Sequence, residues 1–259
     1  MTETSTPTGP DNQGSKFPWD GQPDYPACNF AFGTFMHNLR TRVTVNGRLH
    51  AETYLAAAGV IAGFAAQQAL LVRAVSENDL VTLNQISPIM TKTGGFLQGR
   101  PLRCALLPET EALRNERLAS VAANGAMIAG LTVAQTPKLE DRFTHVINSI
   151  GSEIEGMPSL GKEHYPGMPP KQLLKALWPF ALMCLTGDAP ESVVASKRLW
   201  PAQLGPASHK FWPAITAYVA GNVIHEVKDV LEPAKGLVIV MESAIYASML
   251  DWRDPSKIA

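Results

Sequence analysis

The sequence has little cysteine, no export signal and no concentration of charge, and each gap narrows what the protein is. Three cysteines in 259 residues, Cys28, Cys104 and Cys184, lie far apart with no C-x-x-C pair. A sparse, odd set argues against a disulfide framework and for reduced thiols. The opening residues, MTETSTPTGPDNQGS, contain neither a basic segment nor an apolar run, so no secretory signal is read there. Together these features lead us to expect a cytoplasmic protein. Twenty-two basic and 23 acidic side chains leave a net charge of -1, and no long basic run occurs. Nucleic-acid binding needs a concentrated positive footprint, so that partner is not expected.

Several catalytic signatures are also missing. A di-metal carboxylate bundle needs Glu-x-x-His on its helices, and that string is absent. The run from His225 to Asp229, HEVKD, lacks the second histidine of a zinc-protease helix. Its neighbours Tyr218, Asn222 and Glu232 extend a polar stripe of the kind a solvated helix face shows. His50 and Glu52 have deaminase-like spacing, but no P-C-x-x-C follows. Gly94 and Gly99 have P-loop spacing, yet Arg100 and Pro101 stand where lysine and a hydroxyl residue are required. No metal and no cofactor are expected.

What is abundant is apolar, small-residue sequence. The stretch LHAETYLAAAGVIAGFAAQQALLVRA, residues 49–74, is long enough to cross a membrane and contains Gly59-x-x-x-Gly63. Its apolar content is largely alanine and glycine, and Gln67 and Gln68 interrupt it, which disfavours a membrane span. It reads instead as a central core helix, with Ala58, Ala62, Ala65 and Ala69 forming a close-packing stripe beside Gly59 and Ala66. A second helix is expected after Pro108, with Glu109 and Glu111 in its first turn and a similar stripe at Ala119, Ala122, Ala126 and Ala129. The two stripes are expected to pack on each other or on a second copy of the chain, which makes a homo-oligomer the expected assembly.

Elsewhere, LRTRVTVNGRLH reads as a strand entering a tight turn at Asn46-Gly47. Residues 80–108 read as short strands forming a hairpin or small sheet. Helices are expected from 138 and over 171–186, 190–199, 213–231 and 235–250, with a Pro/Gly-rich loop at 156–170. Three Trp-Pro pairs, at 178, 200 and 212, mark helix starts and one kink. The fold class is therefore mainly α: an Ala/Gly-seamed core of about six or seven helices with a small β-hairpin or sheet element. A mobile tail is expected over residues 1–25 and a single domain over 26–259.

Two places invite a functional reading. Lys92, Arg100 and Arg103 flank a glycine-rich turn and are candidates for holding an anion. The loop LGKEHYPG gathers Glu163, His164 and Tyr165, candidates for acid–base chemistry on a long connection. The leading expectation is a small-molecule-binding or protein-interaction role. The alternative is a metal-independent enzyme acting on a small anionic substrate, which requires both segments to line one pocket. Glu242, alone within GLVIVMESAIYASML, needs a partner or an upward pKa shift.

Overall fold

The structure is a computed structural model that describes residues 17–187 and 204–251. Among these, nine helices and two short antiparallel hairpins form a mainly helical fold. The expected helix at 190–199 and the Trp200-Pro201 pair lie outside the described residues. So do residues 1–16, most of the expected tail. From Phe17 onward that expected tail is packed: Trp19 is fully buried, stacked on Phe17, and its indole N–H donates to Asn29 Oδ1 at 3.0 Å.

Helix α1, Tyr25–Val43, takes up much of the stretch that alternation suggested was a strand. Its buried positions Ala27, Ala31, Phe35, Leu39 and Val43 recur every four residues, so the helical period outweighs the short β-like alternation at its end. The turn is where the sequence places it. Asn46 and Gly47 both have positive φ, 50° and 74°, and join β1, Thr44–Val45, to β2, Arg48–Leu49.

The core is organised by α2, Ala51–Ser76, and α9, Pro233–Met249. By length and composition α2 is the one described helix that could span a membrane, yet in this fold it is mostly buried within the protein. The two helices meet in a register that repeats each turn. Gly236 faces Leu55, Gly59 faces Val240 and Gly63 faces Ala244, while Gln67 donates to the Ser248 and Leu250 carbonyls at 2.9 and 2.8 Å. A constant offset with both numbers rising means that the helices run parallel. A Cβ on Gly63 would lie 2.0 Å from the Ala244 carbonyl oxygen, so only glycine permits this approach. Gln67, which counts against a membrane span in sequence, proves to be the cap on the C-terminal carbonyls of α9.

The close seam is thus the row Gly59–Gly63, one position from the expected alanine stripe. The second seam also has a different partner. Helix α5, Leu118–Ile128, packs on α8, Trp212–Glu226, at a glycine crossing where a Cβ on Gly125 would meet Gly221 atoms at 2.5–2.7 Å. Each seam is therefore filled by another helix of the same chain, and α2 and α5 are not each other's main neighbours.

Helix α5 begins nine residues later than expected. Residues 108–117 form an irregular segment with one short turn at Glu111–Leu113. Glu109 is drawn to Arg100 and Cys104 instead of serving a helix dipole. Ahead of it, α3 (Leu80–Asn84) leads into the hairpin of β3, Ser87–Thr91, and β4, Gly94–Gln98, followed by α4, Arg100–Leu106. Gly99 lies so close to the Gln85 carbonyl that a side chain would overlap it. That tight approach is the structural use of the P-loop-like glycine. The remaining helices are α6, Leu139–Ser149, and α7, Pro170–Thr186, the latter with Pro179 inside it.

Candidate functional site

Two arrangements of polar side chains stand out. One is sealed in the core and the other is open. The sealed one answers the question raised by Glu242, which is 1% exposed on α9. Its carboxylate accepts from the Ser159 backbone N–H at 2.6 Å, the Ser159 hydroxyl at 2.7 Å and Arg142 Nη1 at 2.9 Å. His145 Nε2 lies 4.0 Å away and also bonds the Met157 carbonyl. Burial still holds the Glu242 carboxyl above its ordinary value, against the Ser159 bonds and the charges of His145 and Arg142. Nearby, Tyr246 donates to Glu155 at 2.8 Å, and Glu155 in turn accepts from Thr93 and from the Gly151 N–H. These bonds pin the 150–160 loop to α9. The Glu242 carboxylate is fully engaged in this core network, while Arg142 Nε, on the same guanidinium, is buried without a hydrogen-bond partner.

The open arrangement is a cleft of about 770 Å³ between the C-terminal half of α2, α3, α4, the 109–117 segment and residues 208–213. Arg73, Arg100, Arg117 and Lys210 bring positive charge to its walls, and Glu77, Glu109 and Glu116 bring negative charge. Two of the cations are occupied. Arg100 pairs with Glu109 at 3.1 Å and Arg73 reaches Glu77 at 4.0 Å. Arg117 differs: its Nε is buried and has no hydrogen-bond partner, a state it shares with Arg142 Nε, but Arg117 alone of the two lines the cleft. Desolvation lowers its pKa and Arg73 adds to that, against the opposing charges of Glu116 and Glu109, so burial outweighs the carboxylates around this guanidinium. Lys210 rests over the Phe211 ring at 4.5 Å, and no carboxylate pairs with it among the described residues.

Local sequence explains why Arg117 is left this way. It occupies the N-cap position of α5, where a short polar residue would normally satisfy the first free N–H groups. No side chain caps that end, and its first turn carries no acid. A cation at a helix start is disfavoured by the dipole, whereas a bound anion would answer both the guanidinium and the helix end. Cys104 and His209 also line the cleft. The Cys104 thiol donates to Glu109 at 2.9 Å, and burial raises its pKa. Burial lowers the pKa of His209, which favours the neutral ring.

Of the six candidate site residues read from the sequence, only Arg100 lies in this cleft. Arg103, one turn on, pairs with Glu140 and sits over the Phe143 ring. Lys92 is exposed in the hairpin turn at the far end of β4, about 17 Å of strand away from Arg100. The expected anion trio is therefore dispersed. His164 lies 3.2 Å from Glu52 at the start of α2, and Glu52 also faces His50 at 3.5 Å. The exposed Glu163 carboxylate folds back against Gly161. Tyr165 closes the turn through its backbone N–H, bonded to the Lys162 carbonyl.

The α2 residues that line the cleft begin at Ala66, so the 160–166 loop lies roughly 20–30 Å along the helix from it. The convergence that the enzyme alternative required does not occur. Among the described residues no group of three or more His, Cys, Asp or Glu has a metal-holding arrangement.

Sequence reading passed over Arg117, His209 and Lys210. The available signal was slight: a misplaced helix start put Arg117 in mid-helix, and the His209-Lys210 pair precedes a Trp-Pro that reads only as a helix boundary. No protein-family model matches the chain, and no curated protein or solved structure matches it either.

Proposed function

We propose that the protein binds a small anionic molecule in the cleft beside α4. The observation that carries this reading is Arg117, whose buried Nε lacks a partner in the wall of a cleft large enough for a metabolite-sized ligand. Unpaired Lys210 and the uncapped start of α5 support it, because both are completed by negative charge. Arg100, already held by Glu109, would contribute by exchanging partners.

The test is thermal unfolding of the full chain with phosphate, sulfate, acetate and citrate at matched ionic strength. A ligand at a hundred times its Kd stabilises by about 2.7 kcal/mol, roughly 5–10 °C for a protein of this size. Arg117→Gln is expected to weaken the responding anion at least tenfold while leaving the unliganded melting temperature unchanged or slightly higher. An absence of response to every anion, or an unchanged affinity in the variant, overturns the proposal.

A catalytic use of the same cleft is the second reading, favoured by His209. A neutral imidazole in the wall is suited to act as a base. In this reading it replaces Glu163, His164 and Tyr165, which lie at the other end of α2. The expected homo-oligomer needs a new surface, because both small-residue seams are filled within one chain. Val72, Val75, Leu80 and Val81, exposed on the end of α2 and on α3, form one group of exposed apolar residues that could supply it. Cys28, Cys104 and Cys184 are all free thiols, which supports the proposal of a reducing compartment. Native mass spectrometry of the purified protein would read both the assembly mass and any co-purifying ligand.

A further inference from the structure

Helix α4 borders a second space as well as the cleft. On the other side of that helix lies a second depression, of about 510 Å³, lined by Leu102, Phe143, Ile147 and Met249. Its remaining wall includes Arg100 and Cys104, which also line the larger cleft. Residues four apart share one face of a helix, so the Arg100–Cys104 face is a ridge between the two spaces and belongs to both. One side of the ridge offers Arg117, whose Nε is unpartnered, and Lys210, without an ion pair among the described residues, in a wall that also holds Glu109 and Glu116. The other offers apolar surface, most of it at Ile147, 54% exposed on α6 one turn from Phe143, with the buried Leu102 and Met249 beneath. Arg103 stands at that edge, held by Glu140 and Phe143.

We infer that the ligand is a single-chain amphiphilic anion, with its carboxylate or phosphate head at Arg117 and Lys210 and its apolar chain across the Arg100–Cys104 ridge in the Leu102–Phe143–Ile147–Met249 depression. The inference rests on the anion-binding reading of the larger cleft and adds the tail. Charge complementarity commits the head to one side, and the apolar lining commits the tail to the other. A helix is about 10 Å across, so a chain of roughly eight to twelve carbons reaches from one space to the other. Both surfaces are concave, which suits a free molecule better than a bilayer, since a membrane is met by protruding apolar residues.

The test compares decanoate with acetate (head alone) and decanol (tail alone) by calorimetry on the full chain, below the concentrations at which the probes aggregate. Decanoate is expected to bind at least tenfold more tightly than either. Ile147→Asp is expected to remove that advantage and leave acetate binding unchanged. Ile147 is more than half exposed, so the variant should fold, which its melting curve checks. Arg117→Gln is expected to weaken decanoate and acetate together.

If acetate binds and decanoate is no tighter, or if Ile147→Asp changes nothing, the tail inference falls while the anion reading stands. If neither anion binds, both fall. If decanol binds as tightly as decanoate, the head assignment is wrong. Co-sedimentation with anionic phospholipid vesicles, with no binding of free decanoate, would make the surface a membrane contact and overturn the inference.

Discussion

Helix α2 contributes to two regions built on opposite rules. Along Leu55, Gly59, Gly63 and Gln67 it meets α9 in parallel register, with side chains removed until backbones touch and the one polar group doubly bonded. Beyond Ala66 the same helix forms the wall of a cleft where charges outnumber their partners. In the first region every group is accounted for, so steric fit decides which residues are allowed. In the second, Arg117 feels Glu116 and Glu109 but its Nε has no partner, and Lys210 has no ion pair among the described residues, so part of the complement is left to come from outside the chain. Unmet hydrogen-bonding capacity guides function where it lies in an accessible wall: Arg142 Nε is also buried without a partner, but its guanidinium is already held by the Glu242 carboxylate.

The sharpest way to break the finished side is Glu242→Ala. It leaves Arg142 and the Ser159 N–H without their acceptor, and chemical denaturation should show a loss of about 3–5 kcal/mol. Gly63→Ala comes next. The helix-propensity gain of about 1 kcal/mol is overwhelmed because the new Cβ meets backbone atoms at 2.0–2.6 Å and the two helices must separate. A net loss of about 3 kcal/mol is expected. Gly33→Ala is the control with the opposite sign. Gly33 is exposed in mid-α1 with nothing within 4 Å of an added Cβ, so a gain of about 0.5–1 kcal/mol is expected. Equal effects at the two glycines would refute the steric account of the seam.

The smallest effects are in pH dependence. Glu242 has its native carboxyl raised above an ordinary value near 4.5. Above that pH the unfolded chain releases a proton that the native state keeps, so this contribution to stability falls as pH rises until the native carboxyl ionises. Glu242→Gln should remove that slope from a stability–pH curve. His209 acts in the other direction. Its native pKa lies below an ordinary value of 6.5, so its contribution is present above that pH and is lost as pH falls toward the native value. A His209→Gln curve that superimposes on the wild type between pH 5 and 7 would remove His209 from the account.

Much of the fold could be read in advance because it depends on local rules. The buried length of α2, the turn at Asn46-Gly47, the β3–β4 hairpin and the start of α8 at Trp212-Pro213 follow from apolar periodicity, positive-φ residues and the fixed geometry of proline. The start of α5 is obscured in sequence because two acids after a proline imitate a helix N-terminus, and only the fold shows that Arg100 and Cys104 draw Glu109 away. The candidate site was barely legible. Of six residues named in advance, Lys92, Arg100, Arg103, Glu163, His164 and Tyr165, one lies in the cleft.

Sequence alone therefore determined the class of the molecule: helices seamed with small residues around a large core, without a recognisable metal or nucleotide signature. Periodicity and backbone chemistry act over a few residues, and a sequence displays them directly. The tertiary structure decided which seam meets which helix, that α2 and α9 run parallel, where Glu242 finds its partners, and which cations are left unpaired. Those outcomes depend on distances between residues far apart in the chain, as with Arg117 and Lys210 in the walls of one cleft. No spacing along the sequence encodes them.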